Sequence, residues 1–348
     1  MACIDRCPQG AIELMDNMEH CICVINETLC TNCGQCHDLC PENHPVKLSK
    51  PVLWLQGWAL DEALRKRGTS GGAAGAIETA FIENGGYVCS CVFGEGAFKF
   101  AFTNKAEDVA RFAGSKYAMS DATDVYKTTE LLLRQQQKVL FLGLPCQVGG
   151  MRRYMRSLDE SLLKNLYTID LICHGTPSPK TLALFLSHHG TELSQTKEIA
   201  FRDGHKFRLC ADGKTFAPAG MLDRYSIPFN RGMTYTDSCY ACAYATDSRC
   251  SDLTLGDSWG TSLPDEELHQ GISLFICQNE KGKELIEMAN LHLEDVDAVN
   301  AIAHNSRLSH PGIAPESRPD FFAELKAGKP FDETVVKYYP GTFYDTSR

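Results

Sequence analysis

The 348-residue chain predicts an α/β fold with a mixed sheet, preceded by a small cysteine-rich α+β module. Three observations lead there. Eight of the 17 cysteines fall within the first 40 residues. Further on, apolar runs break at Gly or Pro and re-enter helices, the grammar of strand-to-helix units: Val139-Leu140-Phe141-Leu142-Gly143 before Pro145, and Leu166 to Ile172 before Pro177-Ser178-Pro179. Tyr87 to Phe93 and Phe98 to Thr103 read as strands of one hairpin, which adds an antiparallel component. The length exceeds that of one ordinary domain, so the boundaries are drawn at 1–45 and 46–348.

The first module is organised by Cys30-Thr31-Asn32-Cys33-Gly34-Gln35-Cys36-His37-Asp38-Leu39-Cys40-Pro41. Three thiolates two residues apart can wrap one face of a cubic iron-sulfur cluster, while the fourth, before proline, is carried to another cluster. Cys3-Ile4-Asp5-Arg6-Cys7-Pro8 is the tail of a second such run, whose first two cysteines would precede Met1. Cross-ligation then assigns Cys7, Cys30, Cys33 and Cys36 to one 4Fe-4S cluster. Cys3 and Cys40 are left for another cluster that lacks two ligands, so either the chain begins inside a longer protein or this copy has lost a cluster. Cys21 and Cys23 could substitute, but in the alternating strand Cys21 to Ile25 they read as packing. Residues 1–45 are therefore expected to be a ferredoxin-like 4Fe-4S module.

The formal net charge of −10 argues against nucleic acid or an anionic membrane as partner, since both reward a basic face. The start carries no apolar signal segment, and C-x-x-C clusters in a cytosolic chain point to metal rather than to disulfides. No uncharged apolar run approaches the roughly 20 residues that span a bilayer. A cytoplasmic chain without membrane insertion is expected.

Taken in order, 46–60 reads as a linker whose Trp54 and Trp58 pack. A helix runs from Leu64 through Phe81, across Ser70-Gly71-Gly72. That turn leaves backbone N–H groups free for a phosphate, or is a tight turn with a capping serine. Cys89 and Cys91 lie on one face of a strand and read as buried thiols. After a short helix, Asn104 to Phe112, the turn Gly114-Ser115-Lys116-Tyr117 carries a cation that suits a phosphate or a flavin carbonyl, or is solvated. Tyr126 to Gln137 is an amphipathic helix. Open α/β sheets place ligands at strand carboxyl ends, which sites Cys146 for chemistry. After a helix from Met151 to Leu166, the next strand ends at Cys173-His174-Gly175, before helix Lys180 to His188. Strands and loops over 197–235 lead to Cys239-Tyr240-Ala241-Cys242, then to Cys250 and the acidic turn Gly256-Asp257-Ser258-Trp259-Gly260. A strand, Gly271 to Cys277, a helix, Lys281 to Leu291, and a proline-bearing docking tail complete the chain.

Cys146, Cys173, Cys239 and Cys242 supply four thiolates, the number a 4Fe-4S cube or a tetrahedral zinc demands. Zinc usually takes two paired C-x-x-C knuckles and only one such pair is present; a redox dithiol at Cys239 and Cys242 is a further reading. An upstream electron-carrying module favours iron and sulfur. Cys250 is a reserve ligand.

Ser70 to Gly72, Gly114 to Tyr117, Gly143-Leu144-Pro145-Cys146-Gln147, Cys173-His174-Gly175, Cys239-x-x-Cys242 and Ser251 to Gly260, in this order, resemble the coenzyme F420 hydrogenase/dehydrogenase beta-subunit family over nearly the whole chain. The resemblance implies an FAD-bearing catalytic domain in which a 4Fe-4S cluster feeds or drains the flavin. Members act on the deazaflavin coenzyme, and relatives reduce chlorophyll-pathway pigments with ferredoxin. It further implies that Ser70, Gly71 and Gly72 hold FAD phosphate, that Lys116 lies near the flavin, and that Cys146, Cys173, Cys239 and Cys242 ligate the inner cluster. Gln147 and His174 would lie at the flavin edge, with His174 the proton donor. The expectation is an iron-sulfur flavoprotein oxidoreductase. It would be served by a redox partner such as ferredoxin or other subunits and act on a small hydride acceptor or donor. The rivals are an electron-transfer subunit without its own substrate and a zinc-stabilised binding protein.

Overall fold

In the computed structural model, which describes residues 1–204, 206–218 and 221–341, thirteen strands form among the described residues. They are β1 (Ile12–Asp16), β2 (Cys21–Ile25), β3 (Leu53–Ala59), β4 (Tyr87–Gly94), β5 (Ala97–Thr103), β6 (Val139–Gly143), β7 (Leu166–Leu171), β8 (Ile199–Asp203), β9 (Lys206–Ala211), β10 (Lys214–Thr215), β11 (Leu253–Asp257), β12 (Ser273–Cys277) and β13 (Leu291–Asp295). The main helices up to the middle of the chain are α1 (Ala2–Arg6), α2 (Gln35–Asp38), α3 (Glu62–Arg67), α4 (Ala73–Glu83), α5 (Val125–Arg134), α6 (Pro145–Leu158) and α7 (Pro179–His188).

An eight-stranded sheet of order β13-β3-β12-β11-β7-β6-β4-β5 carries the molecule. Its centre, β11-β7-β6-β4, is parallel, and both wings are antiparallel. The division follows from the residues. β6 is buried at all five positions and β12 likewise, as strands covered on both faces must be. β4 and β5 are joined by Glu95-Gly96, both at positive φ (54° and 71°), the backbone of a two-residue hairpin turn. Leu140, Ile169, Leu253 and Phe275 meet Ile77 and Phe81 of α4 in the core on one face of the sheet; Phe141 meets Val148 and Met151 of α6 on the other.

The stretch read as a linker is instead β3, hydrogen-bonded between β12 and β13. Alternation in Leu-Trp-Leu-Gln-Gly-Trp-Ala is strand-like, but both partners lie more than 200 residues downstream, so nothing local announces the pairing. The expected helix from Leu64 to Phe81 is two helices, α3 and α4, broken at Gly68–Gly72. The expected helix Lys281 to Leu291 ends at Glu287 and yields to β13. The helix expected over Met151 to Leu166 begins at Pro145 and ends at Leu158, followed by a 3-10 turn. In the tail, Arg318–Lys326 and Phe331–Tyr338 are helices burying Phe321, Phe322 and Phe331 in a core shared with α7.

The first 45 residues form the hairpin β1-β2 between the short helices α1 and α2, and they dock on the larger sheet domain through named contacts. Asp5 accepts the backbone N–H groups of Asp124 (2.7 Å), Tyr126 (3.0 Å) and Lys127 (3.3 Å). It thereby caps α5, whose own N-cap residue, Asp124, contributes no side-chain bond. Arg153 of α6 donates to the Asp38 carbonyl, and Ser178 donates to the Asp16 carboxylate at 2.6 Å. At the hairpin tip, the Glu19 carbonyl accepts the Asp237 amide, two residues before Cys239. No helix among the described residues is long and apolar enough to cross a membrane.

Candidate functional site

The parallel strands β6, β7 and β11 end at one rim, and a cavity of about 590 Å³ lies there, the size of a site for a large organic cofactor. The segments that form its walls are widely separated in sequence. Thr69, Ser70 and Gly72 come from the turn before α4, Lys116 and Tyr117 from the turn before α5, Leu144 and Gln147 from the start of α6, and Cys173 and His174 from the end of β7. Asp257 ends β11 and Trp259 follows it, and Arg202, which sequence reasoning missed, comes from β8.

The Ser-Gly-Gly turn is shaped by close backbone contact. Gly71 (φ +84°) and Gly72 (φ +77°) adopt left-handed conformations, and a Cβ on Gly72 would lie 2.6 Å from the Leu64 carbonyl oxygen. Gly71 packs under Gly57 and Ser273 and does not line the cavity, whereas Ser70 and Gly72 do. The Ser70 hydroxyl is committed to Asp257 Oδ1 at 2.5 Å. Lys116 lines the cavity with its ammonium held by the carbonyls of Phe112 (2.7 Å), Ala113 (3.1 Å) and Gly114 (3.0 Å), and burial pushes its pKa down. Gln147 pins the Pro-Cys-Gln turn: its Oε1 accepts the Leu144 amide (2.9 Å) and its Nε2 donates to Ser120 (3.0 Å).

Arg202 is a buried cation, its side chain 2% exposed. Nη1 donates to the Tyr117 hydroxyl (3.1 Å) and faces Asp257 Oδ2 (3.7 Å), and the guanidinium stacks on Phe207, while Nε and Nη2 have no partner. Unpaired buried donors cost about 1–3 kcal/mol each, so their persistence beside a cavity is the chemistry of a site for an acceptor-rich or anionic ligand. Arg67, Lys116, Arg202 and Arg307 all line the cavity, a local excess of cations in a chain of net charge −10. His174 sits at the same wall; burial, then Arg307, lowers its pKa.

Cys146, Cys173, Cys239 and Cys242 are electrostatic neighbours of one another. Cys146 has solvent contact but is surrounded by chain, and desolvation followed by the Cys239 charge pushes its thiol up to about 12; the same causes raise Cys173. Four thiolates at this spacing repel unless a cation sits among them, so the donor set fits a thiolate-bound metal centre. Thr176 N donates to Cys239 Sγ at 3.5 Å, the amide-to-sulfur contact that stabilises such anions. Cys173 also lines the large cavity, so the four-thiol site forms part of its wall. Cys250, the reserve ligand, is buried, and its thiol reaches the Pro145 carbonyl at 3.8 Å, with Asp170, Arg152 and Arg249 as neighbours.

A second hollow, about 180 Å³, is lined by Cys7, Cys30, Cys33 and Cys36, the four residues that cross-ligation groups together. Left-handed Asn32 and Gly34 curl the loop, and Ala11 N and Asn32 N donate to the sulfurs of Cys7 and Cys30. Cys3 and Cys40 do not line it. Cys3 lies against Cys23, and the interaction between the two thiols raises the pKa of Cys3 and lowers that of Cys23. Cys23, expected to be packing, therefore has a specific thiol contact, and Cys21 neighbours Cys239 across the docking face.

Comparison with known proteins agrees with this architecture. Two family profiles of the coenzyme F420 hydrogenase/dehydrogenase beta subunit match, the N-terminal one over residues 54–127 and the C-terminal one over 136–299. A coenzyme F420-dependent sulfite reductase from Methanocaldococcus jannaschii is 24% identical over 328 residues, which is 86% of this chain and 47% of that protein. The chain thus spans about half the length of this curated relative. A chain of the F420-reducing [NiFe] hydrogenase complex from Methanosarcina barkeri has the same fold, with a TM-score of 0.54 and 18% identity over 86% of this chain and 97% of its own. The two profiles together span the sheet, the cavity rim and the four-thiol site, and the chain belongs to the coenzyme F420 hydrogenase/dehydrogenase beta-subunit family.

Proposed function

We propose that the chain is an iron-sulfur flavoprotein oxidoreductase in which one-electron carriers meet a hydride-transferring cofactor. The observation that carries this reading is the four-thiol site, Cys146, Cys173, Cys239 and Cys242, set into the wall of a large cavity rich in cations. In this reading the cavity holds FAD, whose flavin collects electrons singly and passes them on in pairs as hydride.

The chain's residues have distinct tasks. Thr69, Ser70, Gly72 and Arg67 form the end of the cavity at the start of α4, suited to diphosphate by backbone N–H groups and a guanidinium. Arg202, held by Tyr117 and Asp257 at the cavity wall, supplies a buried positive charge beside an acceptor edge of the ring system. Gln147 keeps the loop carrying Cys146 in place, and His174 lies where a second, hydride-exchanging small molecule would enter. The Cys7, Cys30, Cys33 and Cys36 site fits a 4Fe-4S cluster and serves as the inlet for electrons from a redox partner protein or another subunit, through a ferredoxin-like module spanning 1–45.

The test is anaerobic purification followed by iron, sulfide and zinc analysis and a visible spectrum. Iron with bound flavin supports the reading; a colourless protein holding zinc and no flavin sinks it. An electron-transfer subunit without its own substrate is the second reading, favoured by the fold shared with a chain of a hydrogenase complex. Turnover that requires a co-purifying partner selects it.

A further inference from the structure

Glu78 stands apart from the residues already assigned. It lies in the middle of α4, is 2% exposed, lines the large cavity, and has one carboxyl oxygen, Oε1, with no hydrogen-bond partner. The Ser90 hydroxyl on β4 faces it, as does Lys116, whose ammonium is already committed to three carbonyls. The thiol of Cys89 is a further titratable neighbour on β4, and Cys91 lies beyond Lys116. The segments packed on the other sides of α4, among them α3, β3 and the 3-10 turn Ala106–Arg111, bring no further charge to bear on the carboxyl among the described residues.

An acid in the apolar middle of a helix costs stability unless something uses it. The proposed reaction supplies a use. Electrons that enter through thiolate-bound clusters arrive without protons, whereas a hydride leaves as two electrons and one proton. A proton must therefore be available inside a cavity whose floor is α4 and β4.

We propose that Glu78 is the proton-holding group of this cavity, giving up the carboxyl proton that balances the negative charge delivered to the bound FAD. Two electrons come from a reduced one-electron carrier protein and one proton from the Glu78 carboxyl. The remaining carboxylate is reprotonated by water, so atoms and charge balance. Burial supports the assignment: with Ser90 and Lys116 opposing it more weakly, desolvation raises Glu78 to about 8, which keeps the carboxyl protonated at neutral pH.

This inference rests on the FAD reading above, and one experiment separates the two. The flavin midpoint potential of the holoprotein is followed from about pH 6 to about pH 10 for the wild type and Glu78→Gln, alongside infrared difference spectra on reduction. In the wild type the potential should fall more steeply above about pH 8, where the ionised carboxylate must take a proton from water as the negative charge arrives, by one extra proton per two electrons, and reduction there should raise a protonated carboxylic acid band. The isosteric Glu78→Gln should bind flavin normally, lose both the steep segment and the band, and have the higher potential above about pH 9. Identical curves, or an unchanged carboxyl band in the wild type, overturn the proton role while leaving the flavin reading intact. Wild-type protein without flavin overturns both.

Discussion

Ser70 donates its hydroxyl to Asp257 across 187 residues of sequence, at 2.5 Å. This bond ties the turn before α4 to the carboxyl end of β11, and the other Asp257 oxygen faces the buried guanidinium of Arg202. One carboxylate thus fixes both the phosphate-sized end of the cavity and its inner cation. The Ser70 hydroxyl is a strut, so in the proposed reading the backbone N–H groups do the binding at that turn.

Ser70→Ala should therefore act on the strut. Loss of a charge-assisted hydrogen bond to a partly exposed carboxylate should cost about 1–2 kcal/mol, and Asp257→Ala, which also strands Arg202, about 2–3 kcal/mol. Urea unfolding of the cofactor-free chain measures both. A larger loss in Ser70→Ala than in Asp257→Ala contradicts the shared-carboxylate arrangement.

Asp5 is the in-trans cap of α5, and Asp5→Ala should expose three backbone N–H groups at once. A typical cap is worth about 1–2 kcal/mol. Because this one also bolts the first 45 residues to the sheet domain, limited proteolysis within that segment should quicken more than global unfolding does. Asp5→Asn, which keeps an acceptor oxygen, should be milder. Equal proteolysis of the wild type and Asp5→Ala refutes the bolt.

The features legible in the sequence were those written in local spacing. Cys30, Cys33 and Cys36 share one hollow with Cys7 because three of the thiols are near neighbours and the fourth is placed by one hairpin. β6 announced itself because a strand covered on both faces reads as a near-continuous apolar run, and β7 because its run is mostly apolar even though Thr168 and Asp170 are buried within it. β3 was missed because its partners come more than 200 residues later, and β13 because Leu291 to Asp295 is only half-buried at the sheet edge. Arg202 and Glu78 were invisible for a different reason. An arginine in a short strand and a glutamate in a helix are ordinary until the sheet order buries them beside one cavity. For Arg202, the interleaving of small and aromatic residues around it, Ala200-Phe201 and Phe207, was the available hint that its side chain does not reach solvent.

The two sulfur sites should separate by mutation. Cys33→Ala removes one wall of the smaller hollow and should lower the iron content by about four atoms while flavin stays bound. Cys146→Ala should remove a similar amount of iron and also slow flavin reduction, since that site adjoins the cavity. Iron content unchanged in either variant discards the corresponding ligand assignment, and normal reduction kinetics in Cys146→Ala discards the inner relay.

Arg202 offers the sharpest test of what the cavity binds. Its charge is fixed at every accessible pH, and Tyr117, Asp257 and Phe207 hold the guanidinium in one orientation at the cavity wall, so little ordering entropy is lost when a ligand meets it. Arg202→Met keeps the volume and the contact with Phe207 but removes the donors and the charge. FAD affinity, read by fluorescence titration of the cofactor-free chain, should fall at least tenfold, about 1.4 kcal/mol. Arg202→Lys, which cannot present the planar fork, should recover only part of it. A pair this deeply buried is poorly screened, so the difference should persist between low and high salt. If the loss instead vanishes with salt, the arginine acts through long-range attraction alone; if Arg202→Met binds FAD as the wild type does, its unpaired donors face something other than the cofactor.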